Sequence, residues 1–158
     1  MGSGKTAVGK FLAKKLGYEF LDTDALIVKK ESKSILTIFS EDGEEKFREL
    51  EAKTVRELSG LTGYVISTGG GIVINRDNVA SLKKDGLVIW LRASPETILQ
   101  RVGSQTHRPL LNIEDPLDKI KKLLMEREPF YTEADLSIDT DGFEVEEIAD
   151  IIIHKFSR

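Results

Sequence analysis

The feature that most constrains this chain is its opening run, Met1-Gly2-Ser3-Gly4-Lys5-Thr6, in which glycines lead directly into a helix-forming segment. The run matches the second half of the phosphate-loop pattern G-x-x-x-x-G-K-[ST]. In that pattern backbone N–H groups curl round a polyphosphate, the Lys reaches the β/γ-phosphates and the hydroxyl holds Mg²⁺. Val8, Phe11, Leu12 and Leu16 then recur at helical spacing, and Gly17 is placed to end the helix. The plainer alternative is a flexible Gly-Ser-Gly start with Lys5 as the first charge of a helix. The amphipathic helix argues against it, because a helix start adds free N–H groups and partial positive charge where phosphates would lie. The first Gly of the pattern, and the strand that should lead into the loop, would fall before Met1. The expectation is that Met1 is internal, that the natural chain begins upstream with an apolar strand and a Gly, and that without them the loop is poorly formed.

A chain of 158 residues, 40% hydrophobic and 32% charged, suits one soluble domain with a sizeable core. No apolar run approaches the ~20 residues of a membrane span, and the first residues lack a signal-peptide pattern, so a cytoplasmic protein without membrane contact is expected. The absence of Cys excludes disulfides, thiolate nucleophiles and Cys-based metal sites. Only His107 and His154 remain for a His-rich centre, so any metal should be oxygen-bound. A net charge of −4 argues against general nucleic-acid binding but leaves room for a local basic pocket.

Strands and helices alternate along the chain. Residues 19–22 read as a short strand followed by a helix that Asp24 could cap, and residues 34–58 as a helical region broken near Gly43. Residues 64–67 are the next strand, 75–84 a helix, and Leu87 to Leu91 an apolar run suited to a parallel sheet covered on both faces. Ser94-Pro95 starts a helix ending near Arg101, the polar stretch 103–114 reads as a mobile loop, and Asp115-Pro116 opens another helix. Residues 136–139 form the last strand and 145–156 the closing helix. This alternation predicts an α/β fold with a parallel sheet.

In such sheets ligands bind beyond the carboxyl ends of the strands. Asp22-Thr23-Asp24 stands at one such end, where two carboxylates could face a Mg²⁺ shell and a substrate hydroxyl; Asp24 could equally be only a helix cap. Thr68-Gly69-Gly70-Gly71 stands at another. The plainer reading of three glycines is a permissive turn, yet their entropic cost suggests that something approaches the backbone closely. Arg48, Arg108 and Arg127 are ordinary surface charges unless the fold gathers them, in which case their guanidinium forks suit an anionic acceptor.

These stretches, together with Phe47-Arg48-Glu49-Leu50-Glu51, Arg108-Pro109-Leu110-Leu111 and Arg127-Glu128-Pro129-Phe130-Tyr131, resemble the shikimate kinase family over essentially the whole chain. Members are P-loop enzymes similar to nucleoside-monophosphate kinases. The resemblance implies a three-layer P-loop kinase fold in a single domain, 1–158, with a lid at about 103–114. Its five-stranded parallel sheet would lack the first strand in this chain. The implied reaction is ATP-dependent phosphorylation of the 3-hydroxyl of shikimate, by a monomer using Mg²⁺. By resemblance, Gly2, Ser3, Gly4, Lys5, Thr6 and Ala7 hold the nucleotide phosphates, Arg101 lies against adenine, and Thr6 and Asp22 serve the metal. Asp24, Arg48, Gly69, Gly70, Gly71 and Arg127 would bind shikimate, while Lys5, Asp24 and Arg108 would carry the chemistry. Another P-loop kinase, such as a gluconate kinase, or a kinase lacking its start and therefore inactive, are the competing expectations.

Overall fold

The computed structural model describes residues 2–103 and 115–156. The expected lid, with Arg108 and the Arg-Pro-Leu-Leu run, lies outside the described residues, apart from Gly103, which closes a helix.

Helix α1, Lys5–Leu16, begins after Gly4, which holds φ 88°, a left-handed conformation that side chains disfavour. It ends in a Schellman turn: Tyr18 N donates to Ala13 O at 2.9 Å and Gly17 N to Lys14 O at 3.4 Å. Strand β1, Glu19–Asp22, follows and pairs in parallel with β2, Tyr64–Ser67, so that Asp22 stands opposite Ser67. Between them run α2 (Thr23–Glu31), α3 (Ile35–Glu41) and α4 (Gly43–Leu58). Ile27, Ile38 and Phe47 form their shared apolar cluster. Asp22 caps α2, accepting from Asp24 N and Ala25 N, both at 3.1 Å. The expected Asp24 cap is thus corrected: the helix starts earlier, and the Asp24 side chain is left for other work.

After β2 comes a 3-10 turn, Ile72–Ile74, which the sequence did not announce, then α5, Arg76–Lys84, capped by Asn75. Strand β3, Ile89–Arg92, pairs in parallel with β4, Leu136–Asp139. It starts two residues later than the apolar run from Leu87. Val88 N–H goes instead to the Asp135 carboxylate at 2.8 Å, and Val88 O accepts from Asp135 N. Helices α6 (Pro95–Gly103) and α7 (Pro116–Tyr131) pack on each other through Ile98, Val102 and Ile120, and α8 (Val145–Phe156) closes the chain.

The four strands form two pairs, β1–β2 and β3–β4, with no ladder joining them among the described residues. Helices α1 and α8 hold the pairs together. Val8 and Leu12 of α1 and Ile148, Ala149 and Ile152 of α8 pack with Leu91 and Ile138, and Val65 of β2 adjoins the same cluster. A cleft of about 720 Å³ lies between β2 and β3, lined by Val65, Ile66, Ile89 and Leu91. This is the arrangement expected of a parallel sheet that lacks a central member.

Candidate active site

The site gathers at the carboxyl ends of β1 and β2, against the start of α1. Gly2, with φ 69°, and Gly4 turn the chain into the helix, and Ser3 between them is buried. Helix α6 supports the loop from behind: a Cβ on Gly2 would fall 2.9 Å from Val102 Cγ2 and 3.0 Å from Ile98 Cγ2. Lys5 Nζ lies 3.5 Å from Ser3 Oγ. Thr6 Oγ1 donates to Asp22 Oδ2 at 3.3 Å, so the hydroxyl of α1 and the carboxylate of β1 share one small space. Hard oxygen donors of this kind suit a Mg²⁺ that keeps most of its ligands as water and phosphate. Ala7 is exposed in the first turn of α1.

On the acceptor side Thr23, fully buried, accepts from Gly69 N at 3.2 Å and so ties the end of β2 to the end of β1. The close approach expected at the glycines is made by side chains of the site itself. A Cβ on Gly69 would lie 2.9 Å from both Asp24 Oδ1 and Glu51 Oε1, and one on Gly71 would lie 2.3 Å from Arg48 Nη1. Arg48 Nη1 donates to Glu51 Oε2 at 2.5 Å, and its Nη2 to the exposed Glu44 at 2.9 Å. Glu51, only 1% exposed, was visible in the sequence merely as a neighbour of Arg48 three residues on; its burial on the apolar face of α4 beside Phe47 and Val55 makes it part of the site.

Asp24 Oδ1 and Glu51 Oε1 are buried without a hydrogen-bond partner among the described residues. Burial, reinforced by the Asp22 charge, raises the Asp24 pKa against the opposing pull of Lys5 and Arg48. Burial likewise raises that of Glu51, despite the Arg48 guanidinium and the more distant field of Arg127. Two buried carboxylate oxygens that lack donors among the described residues, beside cations, suit a ligand bearing hydroxyls, because leaving such atoms unpaired is costly. Arg127, on α7, is half-buried and close enough to act on Glu51 electrostatically.

Arg101 takes a different position from Asp24, Arg48, Glu51 and Arg127. On α6 it forks onto β4's end, donating to Thr140 Oγ1 and Thr140 O, both at 3.0 Å, while its Nη1 stands 4.0 Å from a Cβ built on Gly4. It therefore borders the phosphate loop rather than the glycine run. A second cavity, of about 540 Å³, extends from Ser3 and Lys5 past Gly69 and Gly70 to Trp90 and Tyr131. It borders the site at Ser3, Lys5, Gly69 and Gly70, and the larger cleft between β2 and β3 reaches the same region at Lys5, Ser67 and Thr68.

The shikimate kinase family model matches residues 1–157. A shikimate kinase of Thermodesulfovibrio yellowstonii is 46% identical over 158 residues, all of this chain and 91% of that relative. The structure of shikimate kinase from Acinetobacter baumannii in complex with shikimate superposes with a TM-score of 0.92 at 39% identity, covering 99% of this chain and 88% of that one. A gluconokinase from Sinorhizobium meliloti shares the fold at a TM-score of 0.68, with 20% identity over all of this chain and 87% of its own. With a family match across nearly its whole length and relatives this similar, the chain belongs to the shikimate kinase family.

Proposed function

We propose that this chain transfers the γ-phosphoryl group of ATP to the 3-hydroxyl of shikimate, releasing shikimate 3-phosphate and ADP. One observation carries the reading beyond family membership: Asp24 Oδ1 and Glu51 Oε1, buried and without a hydrogen-bond partner among the described residues, lie against Gly69, with Arg48 paired to Glu51 and the Lys5 charge felt at Asp24. Ring hydroxyls would satisfy the carboxylates. Arg48 and Arg127 would take the substrate carboxylate, with the exposed Glu44 yielding its place on Arg48.

Phosphoryl transfer asks mainly for in-line positioning and for positive charge around a loose transition state. The hydroxyl oxygen forms a bond to the γ-phosphorus as the bridging P–O bond to ADP breaks, and its proton passes to Asp24. A raised pKa suits Asp24 to that task, since a base poised nearer neutral pH accepts a proton with more driving force. Lys5, at the positive end of α1, would steady the phosphates. Thr6 Oγ1, with Asp22 through water, would hold Mg²⁺, whose chemistry is to neutralise phosphate charge. Arg101 would face the nucleotide base, and Arg108 is assigned to the transferring group by resemblance alone. A cytoplasmic, monomeric enzyme is the accompanying reading.

The test is a coupled ADP-release assay with shikimate, with gluconate and with no acceptor. Release that requires shikimate is the expected result, whereas equal release with and without it would overturn the proposal. Release driven by gluconate would move the chain's activity to a different acid.

A further inference from the structure

Tyr131 is the last residue of α7, one turn beyond Arg127, and its hydroxyl donates to Gly70 O at 2.7 Å across sixty-one positions of sequence. The neighbouring glycine carbonyls are satisfied locally: Gly69 O accepts from Ile72 N at 3.2 Å and Gly71 O from Ile74 N at 3.1 Å. The middle carbonyl of the run is thus held by a side chain from a distant helix. Glycine peptides rotate more freely than any others, and a rotated Gly70 peptide would shift Gly69 and Gly71, against which Asp24, Glu51 and Arg48 lie too close to admit a Cβ. The phenol is itself fixed from behind, its ring stacked on Trp90 of β3 with centroids 5.3 Å apart and planes inclined by 29°. Trp90 is in turn covered by Arg92, 5.2 Å from its ring centre.

We infer that Tyr131 is a positioning residue that clamps the Gly70 carbonyl to α7, so that the glycine run and Arg127 form one preset face of the acceptor site. The inference rests on the acceptor reading given above only for the identity of the substrate; the clamp itself is a property of the loop. It makes the sole Trp of the chain an optical reporter of that face.

Tyr131→Phe removes the hydroxyl and keeps the stacked ring, so it separates the clamp from general packing. Two measurements on the full chain test it. In the first, amide exchange of residues 69–72 without ligands should quicken in the variant while that of α1 and α8 is unchanged. In the second, shikimate titrated against Trp90 fluorescence should bind roughly three- to tenfold more weakly, the range of one neutral hydrogen bond, with ATP binding unaltered. Tyr131→Leu, which also loses the stack, should in addition change the emission of the free protein. Unchanged exchange at residues 69–72 would overturn the clamp, and so would equal weakening toward shikimate and ATP. If the unaltered chain fails to bind shikimate yet exchange quickens in Tyr131→Phe, the clamp stands and the substrate assignment falls.

Discussion

At the scale of single residues, Asp24 sets the terms. Its folded-state pKa is raised, so its favourable contribution to stability is full below the unfolded carboxylate value of ~3.9 and is lost as pH rises through the folded one. The ionised group is therefore a net cost at neutral pH. Asp24→Asn is expected to raise the Tm there, with the gain fading in acid, while turnover falls by about 10²–10⁴, the span of a lost general base. Thermal scans across pH and initial rates check both halves; a lower Tm at neutral pH would contradict the burial argument. In the unaltered enzyme the acid limb of kcat/KM should lie above the ordinary carboxylate range. Gly71 offers a complementary case. A methyl group there would meet Arg48 Nη1, the far end of a flexible side chain. Gly71→Ala should therefore displace the guanidinium, lowering the Tm because the buried Glu51 loses its partner, and raise the KM for shikimate well above any change in the KM for ATP.

Among the elements, α1 does two jobs, presenting the phosphate loop at its start and joining the two strand pairs along its length. Gly9 lets it lie close to β1: a Cβ there would stand 2.8 Å from Phe20 Cε2. Gly9→Ala is expected to cost about 1–3 kcal/mol by overpacking and to weaken ATP binding as the helix start shifts. Denaturant unfolding and nucleotide titration would measure the two effects, and unaltered ATP affinity would show that the loop is held by α6 instead. Helices α4 and α7 are the other arm of the site, carrying Arg48 and Arg127. Alanine at either should raise the KM for shikimate more than that for ATP, because both are proposed to hold the acid rather than the phosphates; equal effects would reassign them to structure.

For the molecule as a whole, α1 and α8 hold the two strand pairs together across the cleft between β2 and β3. Among the described residues each strand is paired on one side only, and any buried N–H or C=O left without a partner costs about 1–3 kcal/mol against a total stability of about 5–15. Filling that cleft with an added apolar strand is expected to raise the Tm and tighten ATP binding relative to the chain without it. Paired thermal denaturation and calorimetry of the two forms decide it, and matching values would mean that the cleft carries no such penalty.

The sequence by itself determined whatever depends on residues within a turn or a strand of one another. The bounds of β1, β2, β4 and α8 fall where pattern and caps put them, as do the helix from Lys5 to Gly17 and the start of α7 at Asp115-Pro116. The phosphate-loop motif and the family were legible for the same reason, since their spacings are local. Only the tertiary structure decided how distant pieces meet. The cap at Asp22 rather than Asp24 is a local shift of two residues, whereas β3 began late because the distant Asp135 side chain took the Val88 amide. Glu51 entered the site because α4 turns its buried face toward Gly69, and Tyr131 because α7 ends over Gly70. Contacts of this kind depend on chain closure and packing across tens of residues, which helical and strand periods do not encode.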